Sequence, residues 1–160
     1  MRKFSLLFAC LFILQTPLVW GQEVNLDAKV AETDVSLLPV PIEKVVVRGY
    51  DGDAPPPTLQ PPTRKLFYGY GVTAYYKGQD TLMFFKVLQL EAIHKGPDGS
   101  QLAHFNLQGS RYNDAFKSYF LNHIDPKEKK NIYFTNVYLK DKKGHYFKLE
   151  DEYPFCTHCD

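Results

Sequence analysis

The sequence predicts an α+β fold: a small antiparallel β-sheet built from hairpins, with one short helix packed on it. Three observations point there. Aromatic residues make up 15% of the chain and are almost all Tyr and Phe, and such rings suit the half-buried surface of a pleated strand. Apolar stretches are separated by turn signals, Lys95-Gly96-Pro97-Asp98-Gly99 and Asp141-Lys142-Lys143-Gly144. One stretch carries a helical period, with Tyr112, Phe116, Tyr119, Phe120 and Ile124 aligned on a single stripe. At 160 residues the chain has room for one domain with a modest core.

Met1-Arg2-Lys3 is a positive start, and Phe4 to Leu14 is a mostly apolar, uncharged run broken by Gln15-Thr16-Pro17. Val19 and Gly21 offer acceptable residues at positions −3 and −1 for signal peptidase, so residues 1–21 read as a secretory signal. The apolar run is short for a membrane anchor. Leu7-Phe8-Ala9-Cys10 offers a lipobox with lipid on Cys10 as the lesser alternative, because the apolar run continues past the cysteine. The whole chain carries 19 basic and 18 acidic residues. Cleavage after Gly21 removes Arg2 and Lys3, leaving 19 − 2 = 17 basic against 18 acidic, a net charge of −1. That balance gives no electrostatic case for nucleic acid or an anionic membrane surface, and no membrane span is expected once the signal is gone.

Residues 22–64 read as an extended, proline-rich linker with one candidate short strand. The strand lies in Val40 to Tyr50, a run of β-branched residues closed by Gly49. Its Val45-Val46-Val47-Arg48-Gly49-Tyr50 is similar to a valine-rich segment near the start of outer-membrane receptors coupled to the TonB system. An ordinary edge strand is the preferred reading. Pro55, Pro56, Pro57, Pro61 and Pro62 fix φ and remove amide donors, which favours an extended polyproline-II spacer. A proline-rich ligand for an aromatic groove is the alternative.

Residues 65–155 are expected to form the globular domain. Leu66 to Tyr76 reads as a strand with Gly69 and Gly71 as bulge or close-approach points. Lys77 to Asp80 is a turn. In Thr81 to Ile93, Met83, Phe85 and Val87 lie on one face, and Leu82, Phe84, Leu88 and Leu90 on the other. Apolar residues on both faces predict a central strand, or one covered on both sides. Gln101 to Leu107 returns as a hairpin partner, with Ala103, Phe105 and Leu107 alternating against His104 and Asn106.

Ser110 is the expected N-cap of the helix, Asp114 suits its first turn, and Asp125-Pro126 ends it. The stripe of rings predicts core packing rather than a ligand site. Pro126 to Lys130 is a charged, solvated connection. In Asn131 to Lys140, Ile132 and Phe134 share one parity, while Val137 and Leu139 share the other. A bulge near Thr135-Asn136 would bring both pairs to one side. Asp141 to Gly144 then turns the chain into His145 to Leu149, with Gly144 able to take a left-handed conformation.

The stretch Val87 to Leu149 resembles the C-terminal periplasmic domain of the gliding-motility and type IX secretion protein family GldM (PorM). The likeness rests on a strand, a Gly-led helical segment (Gly109 to Ile124), a basic turn, the strand Asn131-Ile132-Tyr133-Phe134-Thr135-Asn136-Val137, and the turn Asp141-Lys142-Lys143-Gly144. Proteins of that family are much longer, with a membrane helix and several β-rich domains. The resemblance implies a periplasmic protein–protein interaction module, with an envelope protein as partner and no enzymatic residues to carry over.

Residues 156–160 hold the one motif with chemical potential, Cys156-Thr157-His158-Cys159. Cys156 and Cys159 are disulfide candidates in an exported chain. Cys156, His158 and Cys159, with His145 as a further donor, are metal candidates, although one Cys pair is half of a structural zinc site. Redox activity is the third option, disfavoured because the motif does not open a helix that would lower a thiol pKa. His94, His104 and His123 show no sign of converging and read as surface or half-buried residues. Phosphate loops, nucleophile elbows and paired-acid signatures do not occur. The expected function is an exported, non-catalytic interaction or scaffold module of the cell envelope, without a cofactor. The alternative is a small thiol-redox or metal-binding protein that uses the tail.

Overall fold

The computed structural model describes residues 24–51, 70–79 and 81–155. Its seven strands are β1 (Val46–Asp51), β2 (Tyr70–Lys77), β3 (Leu82–Lys95), β4 (Gln101–Gln108), β5 (Ile132–Lys140), β6 (Tyr146–Leu149) and β7 (Tyr153–Pro154). Two short α-helices accompany them, α1 (Leu26–Ala31) and α2 (Asp114–His123). The expected class, a small antiparallel sheet with a short helix, is the one observed. All strand pairs are antiparallel, and the sheet stays open in the order β1-β2-β3-β5-β6.

Everything is hung on β3. Fourteen residues at about 3.3 Å each make a strand of roughly 46 Å, long enough to hold two partners end to end on one edge. β2 pairs with its first part, Leu82 to Phe85, and β4 with its second, Gln89 to Lys95. β5 runs along the other edge, and carries β6 and β7 in tandem on its own far side.

Two bulges set which side chains face the core. Val87 pairs with Leu139 and Gln89 with Tyr138, so β3 has one residue too many at Leu88. Gln89 pairs with Tyr138 and Glu91 with Thr135, so β5 has one too many between them. There Asn136 takes a left-handed φ of 48°, which an Asn tolerates better than most residues. On β5 the bulge brings Ile132, Phe134, Val137 and Leu139 to one buried side, as their parity predicted. On β3, expected to be either central or covered on both faces, the same device decides for the first. Phe85 and Val87, then Leu90, Ala92 and His94, are buried together across the parity change, while Phe84 is exposed. β3 is central by its hydrogen bonds, not by two apolar coverings.

Within residues 22–64 the short strand expected in Val40 to Tyr50 forms as β1, and the described residues around it are packed rather than a free spacer. Val45 and Val47 are core residues, and β1 pairs along all of its length with β2. A Cβ on Gly49 would lie 2.3 Å from Phe155 and 2.8 Å from Phe134, so β1 crosses the aromatic core with no room for a side chain. Upstream, Asn25 caps α1 by accepting from Ala28 N–H at 3.0 Å, and Tyr146 N–H donates to Thr33 Oγ1 at 3.2 Å. The segment before β1 is thereby tied to β6. The signal segment and the proline cluster, along with Gly69, lie outside the described residues.

The helix begins later than Ser110. Val72 N–H donates to Ser110 O at 2.7 Å, and Tyr112 N–H to Tyr70 O at 3.2 Å, so residues 110–112 are extended against β2. Asn113 is the cap instead, its Oδ1 accepting from Phe116 N–H at 2.8 Å. Asp114 opens the first turn, and Asp125, in the extended region before Pro126, follows the end. The charged connection is ordered as a 3-10 turn, Pro126–Asn131, capped by Asp125.

The ring stripe is core, as expected. Phe116 sits 4.6 Å from Tyr112 and 5.2 Å from Phe105, ring centre to ring centre, and Phe120 is 5.4 Å from Phe155. Phe155 is locked by its own N–H to Ile132 O at 2.7 Å. The Tyr112 hydroxyl is buried without a hydrogen-bond partner among the described residues. Burial, and then the nearby Asp51 and Tyr50, hold its pKa well above the ordinary phenol range.

The turn between β3 and β4 forms as its residues demand. Asp98 Oδ1 accepts from Ser100 N–H at 3.0 Å, while Gly99 and Gly144 each take positive φ in their turns.

Candidate functional site

Two surface features gather hydrogen-bonding groups. The first is an open hollow of about 720 Å³ between the start of α1, the bulge of β3 and the end of β4. Its floor is a row across three strands. Gln108 of β4 faces Gln89 of β3, and Gln89 faces Tyr138 of β5. The bulge at Leu88 creates this row, since it sends Gln89 to the side opposite buried Val87 and Leu90. α1 supplies the wall. Asp27 stands in its first turn, where the helix dipole favours a carboxylate, and Tyr138 Oη donates to Asp27 Oδ1 at 2.5 Å. Burial, and then the Asp27 carboxylate with Glu91 and Glu150 beyond it, push the Tyr138 hydroxyl up to about 12. Lys148, next to Tyr138 on β6, lays its ammonium over that ring at 5.3 Å.

The second feature is the outer edge of β4. Among the described residues only β3 pairs with this strand. In an antiparallel ladder the N–H and C=O of one residue point to the same edge. Asn113 Nδ2 donates to Asn106 O at 3.1 Å from outside the sheet, so the outward set is Asn106 with its alternate neighbours His104 and Gln108. Edge strands are commonly protected by lysine, proline or inward charges. Gln101-Leu102-Ala103-His104-Phe105-Asn106-Leu107-Gln108 contains no Lys, Arg, Asp, Glu or Pro, and Leu102 is 57% exposed.

Of the residues singled out from the sequence, Cys10, Cys156, His158 and Cys159 lie outside the described residues. Among the described residues no group of three or more His, Cys, Asp or Glu could hold a metal ion. The histidines are more organised than their spacing implied. His94 is buried rather than surface or half-buried, because Tyr119 Oη offers its Nδ1 a partner at 3.0 Å. His123 lays its ring on the same Tyr119 at 5.2 Å, so two of the scattered histidines meet at one tyrosine. His104 Nε2 lies 3.2 Å from Glu91.

His145 belongs to a structural turn. Asp141, read from sequence as an ordinary turn residue, is buried. Its Oδ1 accepts from His145 N–H at 2.9 Å, and its Oδ2 lies 2.9 Å from His145 Nδ1. Burial alone would raise the Asp141 pKa, but the His145 and Gly144 hydrogen bonds outweigh it and hold the carboxyl below its usual value. A depressed carboxyl pKa adds stability above the unfolded value near 3.9, which is lost as pH falls through the folded one. Asp141→Ala is therefore expected to lower unfolding free energy by about 2 kcal/mol at pH 7. The difference from the parent should shrink below pH 4 in urea titrations, and an undiminished difference at pH 2 would refute the assignment.

Comparison of the chain with protein-family models, with curated proteins and with solved structures finds no match.

Proposed function

We propose that this chain is an exported, non-catalytic module of the cell envelope that binds or scaffolds another envelope protein. The reading carries with it the gliding-motility and type IX secretion context that the GldM resemblance implies. The observation that supports it is the uncharged outer edge of β4, which offers the outward backbone groups of His104 and Gln108 and the Asn106 N–H to an incoming strand, the Asn106 carbonyl being held by Asn113. Strand addition draws affinity from main-chain hydrogen bonds, so it needs no deep pocket on the accepting sheet. No helix among the described residues is long and apolar enough to cross a membrane.

Crosslinking in the native cell, followed by identification of what is captured, tests the reading. One envelope protein should be recovered repeatedly with the parent chain. Asn106→Pro removes an outward N–H that makes no bond to β3, so the fold should change by only about 1 kcal/mol. Capture should nonetheless fall about fivefold, on the scale of one lost main-chain hydrogen bond at roughly 1 kcal/mol. Undiminished capture by the proline variant moves the contact away from β4, and a parent chain that captures nothing defeats the proposal. A Cys156→Ser, Cys159→Ser chain should capture as the parent does; loss there would transfer the function to the tail.

A further inference from the structure

We infer that the hollow beside α1 is a binding site for a neutral, polyhydroxylated ligand, of the chemical class of an oligosaccharide. The hollow meets the β4 edge at Gln108, using its side chain where the edge would use its backbone, and this inference does not rest on strand addition there. Three properties of the hollow select the ligand class.

First, its floor presents unused amides. The side chains of Gln89 and Gln108 stand directly opposite each other, and neither makes a hydrogen bond among the described residues. Each carboxamide offers two donors and an acceptor within one plane. Two such groups on adjacent strands match neighbouring hydroxyls, since every hydroxyl both donates and accepts.

Second, the wall supplies a fixed acceptor. Asp27 Oδ1 is held by Tyr138 Oη, which orients the carboxylate and leaves Oδ2 to accept a hydrogen bond from a ligand hydroxyl. Asn25 spends its Oδ1 on Ala28 N–H, so its amide N–H₂ remains as a further donor at the rim.

Third, the charge is wrong for the main competitors. Among the described residues no Lys, Arg or His lines the hollow, and the one formal charge they bring to it is the Asp27 carboxylate. Lys148 stands behind, over the Tyr138 ring and within 3.6 Å of Glu150. An anionic group would meet Asp27 without a counter-charge; Val24, Leu26 and Leu88 also line the hollow, but a lipid chain laid on them would leave the Gln89 and Gln108 amides unpaired. The volume of about 720 Å³ falls within the usual range of ligand sites, roughly 300–1,000 Å³.

The test uses the mature chain, isotope-labelled, titrated with cellobiose, N,N′-diacetylchitobiose and maltotriose, and with a glucuronic-acid disaccharide as the charged comparison. At least one neutral sugar should bind saturably, with amide shifts centred on Asp27, Gln89, Gln108 and Tyr138. Gln108 is exposed, so Gln108→Ala will leave the fold intact and should weaken binding about threefold. Gln89→Ala with Gln108→Ala should weaken it about tenfold, as expected for two lost hydrogen bonds. Saturable binding to none of the neutral sugars overturns the inference. So does binding unchanged in both variants, or a tighter grip on the uronic acid than on any neutral sugar. Asn106→Pro should bind the sugar as the parent does, which separates the hollow from the strand edge.

Discussion

Gly71→Ala is expected to destabilise the protein by about 3 kcal/mol or more, combining overpacking with broken ladder bonds. A Cβ there would lie 2.4 Å from Ser110 O and 2.7 Å from Tyr50 Oη. Tyr50 could swing aside, but Ser110 O cannot. It is backbone, and it accepts the Val72 N–H at 2.7 Å in the ladder that extends residues 110–112. Making room means separating β2 from the lead into α2, and with it Tyr112 from the aromatic core. Against a total stability of order 5–15 kcal/mol, that is enough to leave a sizeable unfolded fraction. Urea unfolding followed by circular dichroism checks it. The comparison is Gly99→Ala, where no atom lies within 4 Å of the added Cβ and only the φ of +80° is strained. That variant should lose about 1–2 kcal/mol. Equal losses at the two positions would mean that close approach is not what matters at Gly71.

Phe116→Ala should lower stability by about 3–5 kcal/mol, the usual range for removing a fully buried ring. Phe116 has no exposed surface and touches rings from three directions. Tyr112 precedes it in the chain, Phe105 comes from β4, and Phe120 lies one turn on. The cavity left behind would be walled by stiff aromatic side chains from β4, from the extended lead into α2 and from α2 itself, which limits relaxation. Leu121→Ala, on the exposed side of the same helix at 52% accessibility, should stay within about 0.5 kcal/mol of the parent. The contrast in urea midpoints measures tertiary packing with helix propensity nearly constant. A small loss at Phe116 would mean that α2 does not anchor the sheet.

The two variants probe the same arrangement from either side. β3 provides a long central rail, α2 closes its core face with rings, and α1 with the outward row Gln108, Gln89 and Tyr138 builds the hollow on the other. Binding surfaces of this kind need a rigid frame, which is why packing variants should also blunt any ligand or partner readout. Positions such as Gln108 and Asn106 are the useful ones for function, because their side chains are exposed and their loss leaves the core untouched.

Much of the fold can be read locally. The bulge in β5 is visible because Ile132 and Phe134 are out of step with Val137 and Leu139, and only an extra residue reconciles them. The turn before β4 follows from Pro97, Asp98 and Gly99, whose preferences act within a few bonds. The helical stripe is legible for the same reason. Where local cues were ambiguous, the reading went astray. Apolar residues of both parities on β3 fit two-sided burial as well as a bulge, and only the register against β5 separates them. Ser110 and Asn113 are both good caps, but the Ser110 carbonyl is claimed by Val72 from a distant strand. Val45 and Val47 lie in the strand expected over Val40 to Tyr50, but their place in the core was not legible, because the partner strand lies beyond the proline cluster.

The hollow was the least legible feature. Asp27 and Tyr138 are 111 residues apart, and the one faint signal is Gln89, an amide set between Leu88 and Leu90. The sequence by itself determined the α+β class, the hairpin turns, the ring stripe and the bulge of β5, because sterics and side-chain period act between near neighbours. Strand order, the start of α2, the inclusion of β1 and the meeting of Asp27 with Tyr138 were decided only in the tertiary structure. Those depend on register between distant strands, where a slip of one residue turns every side chain to the opposite face.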